Sequence, residues 1–230
     1  MFYNAIMDPE RREQDLAAIA MLREPVRREL YDHVAAQEGE VSRDQAAAAV
    51  GVRRGLAAFH LDKLVEAGLL EASFGRQGRR GGPGAGRPAK LYRRAAAEVS
   101  ATLPPRTYQT AALLLAETVE QAGADPELYA VARRSGEAAG LQAAAGGSRP
   151  TVERLLAARG YQPYREGALL RLRNCPFADL AAQFPALICG MNLAMVQGLV
   201  AGLGDAAGAA AMDPAPGRCC VAIHDRRREH

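Results

Sequence analysis

The sequence predicts an α+β chain: an N-terminal winged helix-turn-helix, a helical dimerisation segment and a small C-terminal α/β sensor domain. Three observations predict it. Three short helices, with a glycine turn before the third, are followed by two short strands. Positive charge gathers in that same stretch. All four cysteines fall in the last 56 residues. The expected boundaries are residues 1–97 for the winged helix, 98–150 for the helical region and 151–230 for the sensor domain.

Taken in order, Pro25 opens a helix to about Ala36, with Val26, Leu30, Tyr31 and Val34 on its inner side. Ser42 followed by Gln45 is a capping box, so a second helix starts there and runs through Val50. Gly51 supplies the turn. A third helix spans about Arg53 to Ala67 and stops at Gly68. Leu69–Phe74 and Lys90–Arg94 read as two strands joined by GRQGRRGGPGAGRPA, whose six Gly, two Pro and four Arg suit a mobile wing.

Pro104 and Pro105 mark a linker, after which helices are expected at about 106–122, 126–145 and 150–159. YQPYREGALLRLRN alternates around Glu166 and Gly167 like a β-hairpin. A long helix over about Phe177–Leu203 carries Leu180, Phe184, Leu187, Ile188, Met191, Met195 and Leu199 at helical spacing, kinked or divided by Pro185. CCVAI reads as a last strand, and DRRREH as a frayed end.

Of the 230 residues, 49% are hydrophobic and 24% charged, the balance of an ordinary folded protein. The reading finds no apolar stretch of the roughly 18 residues that span a bilayer. The opening MFYNAIMDPERREQD lacks the apolar run and small-residue site of a signal peptide. A cytoplasmic protein without membrane contact is expected, its cysteines reduced or metal-bound.

The net charge of +3 becomes informative when divided along the chain. Residues 53–94 hold ten Lys/Arg against three Asp/Glu, whereas residues 95–230 hold thirteen of each. Such a concentrated positive segment is the electrostatic footprint of double-stranded DNA binding. On the third helix, Leu56, Leu61, Leu64 and Val65 are expected in the core. Arg53, Arg54, Ala57, Ala58 and Lys63 then face the major groove. Arg76, Arg79, Arg80 and Arg87 in the wing, with Lys90 beyond it, suit phosphates or a minor groove. His60 reads as a packing or backbone-capping residue rather than a base reader.

The run FHLDKLVEAGLLEASFG…GRPAKLYRR resembles the recognition helix and wing of ArsR- and DeoR-like bacterial regulators. A histidine-leucine pair, a Gly-Leu at the helix end and a Gly-Arg-Pro…Tyr wing strand carry the resemblance.

Cys175 ends the hairpin, Cys189 lies within the long helix, and Cys219 and Cys220 open the last strand. Their wide spacing differs from the close C-x-x-C pairs of most structural zinc sites and is compatible with iron–sulfur ligation. Adjacent residues of an extended strand point to opposite faces, so only one of Cys219 and Cys220 is expected to reach a shared site. Buried cysteines are equally at home as small hydrophobes.

The segment LRLRNCPFADLAAQFPALICGMNLAMVQGLVAGLG…PAPGRCCVAI resembles the C-terminal half of the SufR family, winged-helix repressors of iron–sulfur assembly operons. The resemblance implies a cluster, [4Fe–4S], held by Cys175, Cys189 and a third cysteine, Cys219, with Cys220 as the alternative. A homodimer is expected, its two recognition helices reading half-sites of an imperfect palindromic operator. The helices at 106–122 and 126–145, with Leu113, Leu114, Leu115, Val119 and Leu128, are the expected dimer surface. The doubled cysteine departs from the family pattern, and so does the Ala/Gly-rich segment 204–211, which reads as an insertion. Rival readings keep the regulator but replace the cluster with zinc, a thiol redox switch or a purely dimerising domain. An enzyme is not expected, because the C-terminal half has no phosphate loop or nucleophile elbow and only His224 and His230 as histidines.

Overall fold

The structure is a computed structural model and describes residues 9–37, 39–75, 88–146, 150–204 and 208–224. The chain divides into two compact units, Met1–Thr107 and Tyr108–His230.

The first unit contains α1 (Pro9–Met21), α2 (Pro25–Ala35), β1 (Val41–Ser42), α3 (Arg43–Val50), α4 (Arg54–Glu66), β2 (Leu70–Gly75) and β3 (Ala89–Arg94). Pro25 takes the first position of α2, where its missing N–H costs nothing. The carboxylate of Glu24 then accepts the N–H groups of Val26 and Arg27 at 3.3 and 2.6 Å. The capping box at α3 forms as its spacing predicts. The Gln45 N–H donates to the Ser42 hydroxyl at 3.3 Å, and the Gln45 side chain accepts the Ser42 N–H at 2.9 Å. Gly51 ends α3 with φ of 72°, a left-handed conformation that favours glycine.

The three strands pair antiparallel in the order β1-β3-β2, with Val41 opposite Tyr92 and Leu70 opposite Arg94. Leu30, Val34, Leu61, Leu64, Leu70 and Tyr92 fill the core between helices and sheet. Two elements were not expected from the sequence. The short strand β1 extends the wing sheet, and α1 delivers Ala18 to the same core.

The second unit contains α5 (Tyr108–Ala122), α6 (Asp125–Ala145), α7 (Val152–Ala157), β4 (Pro163–Glu166), β5 (Leu169–Leu172), α8 (Ala178–Gln183), α9 (Pro185–Leu203), β6 (Ala209–Met212) and β7 (Val221–His224). Its sheet is antiparallel throughout, in the order β4-β5-β7-β6. The helices at 108–145, expected as a region apart, fold with this sheet. Pro185 divides the expected long helix into α8 and α9, since its ring and missing N–H fit only a new first turn.

The contact between α6 and α9 is made by glycine. A Cβ on Gly136 would lie 2.0 Å from the Met195 carbonyl oxygen, and one on Gly140 would lie 2.4 Å from that of Leu199. Reciprocally, a Cβ on Gly198 would meet the Arg133 carbonyl at 2.0 Å, and one on Gly202 that of Glu137 at 2.3 Å. Both helices carry glycine four residues apart, so each backbone seats directly on the other. Below them, Val196, Leu199, Val200 and Leu203 pack on Leu170, Leu172, Val221 and Ile223 of the sheet.

Three sequence expectations change here. The segment 204–211, expected as an insertion, supplies most of the edge strand Ala209–Met212, which pairs with β7, while residues 205–207 lie outside the described residues. The last strand starts at Val221, after both cysteines, and the DRRREH end also lies outside the described residues. Finally, α9 is 19 residues long and apolar enough to cross a bilayer, contrary to the expectation that no such stretch exists. More than half of it is buried against α6 and the sheet, the surroundings of a core helix.

Candidate nucleic-acid interface and thiol site

Within the first unit, α4 stands after the Gly51 turn with Arg53 as its N-cap, and Arg53 makes no side-chain cap bond. Arg54 pairs with Asp44 through Nε at 2.7 Å, both side chains being solvated, a contact worth little to stability. Lys63 reaches Glu66 at 2.6 Å, one turn along the same helix. Asp62 joins the helix to the wing strand: Lys90 Nζ lies 2.7 Å from its carboxylate, and the Tyr92 hydroxyl donates to it at 2.8 Å. Burial opposes charge on Asp62, yet these two donors hold its carboxyl below the ordinary range. The Tyr92 phenol is pushed up, chiefly by burial and then by Asp62.

The face of α4 is rotated from the one the sequence suggested. Ala57, expected toward DNA, is 0% exposed and sits in the core, whereas Leu56, expected inside, is 43% exposed. Phe59 lies one turn further along, 54% exposed. Ala57 shares the core with Leu61 and Leu64, while Leu56 and Phe59 are left outside. His60 is buried; Arg27 Nε donates to its Nδ1 at 3.4 Å, and its Nε2 faces Glu24 at 3.6 Å. That is the packing role the sequence indicated. Arg76, Arg79, Arg80 and Arg87 lie outside the described residues.

In the second unit all four cysteines are free thiols. Cys175 sits between β5 and α8, Cys189 on α9, and Cys219 and Cys220 in the turn before β7. That turn is pinned on both sides. The Cys219 N–H donates to the Leu172 carbonyl at 3.0 Å, and the Cys220 carbonyl accepts the Asp213 N–H at 2.7 Å. Arg171 adds ion pairs to Glu166 and Asp213, and Arg218 approaches Asp213 at 3.5 Å.

The thiols form a chain of hydrogen-bonding contacts, Cys175 to Cys219, Cys219 to Cys220, and Cys220 to Cys189. The expectation that Cys220 points away assumed an extended pair, and these residues precede the strand in a bend. Both sulfurs therefore reach the same place. Donation from the Cys175 thiol, then from Cys220, the Val221 N–H and the Asn192 amide holds Cys219 well below the usual thiol range. Cys175 and Cys220, the donors to Cys219, are pushed up, and burial adds to this.

Asn192 is a residue sequence reasoning did not single out. It is 0% exposed in a helix whose other amide side chain is Gln197, and its Nδ2 donates to Cys219 Sγ at 3.3 Å, with Cys175 Sγ at 3.9 Å. The Tyr161 hydroxyl donates to Asn192 Oδ1 at 2.5 Å, which fixes the amide with its N–H groups toward sulfur. A polar residue on the inward side of α9 was the available signal, because a buried amide must find partners. Among the described residues, no group of three or more His, Cys, Asp or Glu side chains is arranged to hold a single metal ion. The sulfur contacts run in series. Thiolates that ligate separate irons of a polynuclear cluster line a site rather than converge on one point, and a set of sulfur donors suits soft metals.

A family described as a helix-turn-helix domain matches residues 22–72, from just before α2 into β2. No curated protein and no solved structure matches the chain. With the β2–β3 hairpin following α4, the first unit is a helix-turn-helix domain of the winged type, and the chain is a DNA-binding transcriptional regulator.

Proposed function

We propose that this regulator is a cytoplasmic, homodimeric repressor that reads an imperfect palindromic operator and senses iron–sulfur status through its second unit. It is not an enzyme. By the resemblance seen in the sequence, the group sensed is a [4Fe–4S] cluster, and the genes controlled serve cluster assembly. Cys175, Cys189 and Cys219 would hold it, with Cys220 as the alternative to Cys219. One observation supports the reading above others: four thiols from three separate stretches of chain gather at one place, three of them in contact around buried Cys219 or beside it. When bound, such a cluster supplies a centre that oxidants attack, and its loss removes the cross-link between the hairpin, α9 and the β7 turn. Exposed Leu114, Leu115, Val131 and Leu141 on α5 and α6 supply apolar area for the dimer contact.

Anaerobic reconstitution of the wild type and the four single Cys→Ser variants tests this, with iron, sulfide and absorption near 400 nm as readouts. Cys175→Ser and Cys189→Ser should lose the cluster, and so should at least one of Cys219→Ser and Cys220→Ser. A wild-type chain that takes up no iron removes the cluster from the account.

The contact between Cys175 and Cys219 favours one second reading, a dithiol switch. A peroxide would accept two electrons from the pair, leaving a disulfide and water. That chain would stay colourless after reconstitution and lose two titratable thiols on oxidation.

A further inference from the structure

The outward face of α4 has an unusual composition for a helix that meets DNA. Its charged side chains beyond Arg53 already have partners inside the unit: Arg54 with Asp44, Asp62 with Lys90 and Tyr92, Lys63 with Glu66. Between them stand Leu56 and Phe59, three residues apart and therefore on one face, 43% and 54% exposed. Both are among the large apolar side chains that the unit leaves in solvent although its core holds smaller ones, such as Ala46, Ala47 and Ala57. The pair is flanked by Arg53 and Arg54 at the start of the helix, and the surrounding segment 53–94 holds ten Lys/Arg against three Asp/Glu. A partner that covers this face must be polyanionic around its edge and apolar at the point of contact.

Duplex DNA meets both conditions at one place. The C5-methyl group of thymine is the apolar feature of the major groove, and apolar side chains recognise it. We infer that Leu56 and Phe59 are specificity-determining residues that select thymine through its methyl group. This inference rests on the DNA-binding reading and adds which base feature the helix reads. Arg53 and Arg54 orient the helix against phosphates or guanine edges, and the Asp62 contacts hold the wing strand to the helix while it does so. His60, buried with its ring 5.3 Å from that of Phe59, is held by Arg27 and takes no part.

The test uses the full chain, purified anaerobically, and a duplex that it selects from a random pool. Each thymidine of that duplex is replaced in turn by deoxyuridine, which removes only the methyl group. One or two positions in each half-site should then bind about four-fold more weakly, the worth of one buried methyl-sized group. In Phe59→Ala or Leu56→Ala that penalty should vanish at one of those positions, and affinity should fall more for the selected duplex than for random DNA. Phe59→Leu should restore part of it. Both side chains are about half exposed, so each variant should still melt in one cooperative transition at a slightly lower temperature. Equal affinity for thymidine and deoxyuridine duplexes in the wild type overturns the inference, and so does an undiminished penalty in both variants. A chain that selects no duplex contradicts the DNA-binding reading itself, a result recognisable before any base is replaced.

Discussion

The two units solve the packing of helices in opposite ways. In the first, α2, α3 and α4 are held apart by side chains, with Leu30, Leu61 and Leu64 filling the space between them. In the second, glycines of α6 and α9 bring one backbone onto the other, while Tyr129 and Arg133 reach from α6 to Ala186 and Gln197 of α9. Side-chain packing is damaged by removing atoms, because a cavity is left. Backbone packing is damaged by adding them. Polar groups follow the same division. Ser42 is satisfied by Gln45 within one turn and His60 by Arg27 from α2, while Asn192 lies wholly inside, spending its hydrogen bonds on thiols and a tyrosine.

The sharpest break of this comparison is Gly198→Val. Its Cβ would occupy the Arg133 carbonyl, which cannot move without the whole of α6. We expect a loss of more than about 3 kcal/mol, the upper range for overpacking, seen as a collapsed thermal transition of the second unit. The counterpart in the first unit, Leu61→Ala, should cost about 2–5 kcal/mol through its cavity, whereas adding a methyl beside it would be better tolerated. A Gly198→Val chain that melts like the wild type would mean that the helices are not seated on each other.

Asn192→Ala should lower stability by about 1–3 kcal/mol, because it strands the Tyr161 hydroxyl and removes the donor to Cys219. A urea midpoint displaced with unchanged slope is the expected readout; an unmoved midpoint would place water or nothing at that amide.

How much of this could be read from the sequence differs between the units for physical reasons. The caps were legible because they are local: Ser42 with Gln45, Pro25 and Gly51 each act within one turn of chain. The rotation of α4 was not. Leu56, Ala57, Phe59, Leu61, Leu64 and Val65 surround most of its circumference, so periodicity does not choose a face, and size suggested leucine inside and alanine outside. The structure reverses that choice: Ala57 is buried and Leu56 is 43% exposed. The thiol site was half legible. The cysteines announced a site, but the bend at 219–220 looks like strand, since it runs directly into Val221 and Ile223, which favour extended chain. The glycine spacings at 136/140 and 198/202 stood in the sequence without saying which helices they join.

A functional contrast is smaller in energy. Arg53→Ala together with Arg54→Ala should leave melting unaltered, since both side chains are exposed. Specific duplex binding should weaken by about 1–3 kcal/mol if either meets a base. Retained affinity would move the reading surface off the start of α4.

Smallest of all are the local polar contacts of the first unit. Ser42→Ala should cost about 1 kcal/mol by opening the α3 capping box, measured as a shifted melt. Asp62 gives a matching pH effect. Its carboxyl titrates lower in the folded chain than in the unfolded one, so its contribution is complete above the unfolded value and fades as pH falls toward the folded one. Acid melts of Asp62→Asn should therefore show a shallower decline than those of the wild type.

The central claim is that the thiol site governs DNA binding, and one measurement addresses it directly. Affinity for the selected duplex is compared for the reconstituted chain and for the same chain after anaerobic chelation of its iron. A coupling of ordinary size, about 1–3 kcal/mol, corresponds to a difference between about 5-fold and about 150-fold, with the iron-loaded chain binding more tightly. Equal affinities, with iron confirmed present in one sample and absent in the other, would contradict it.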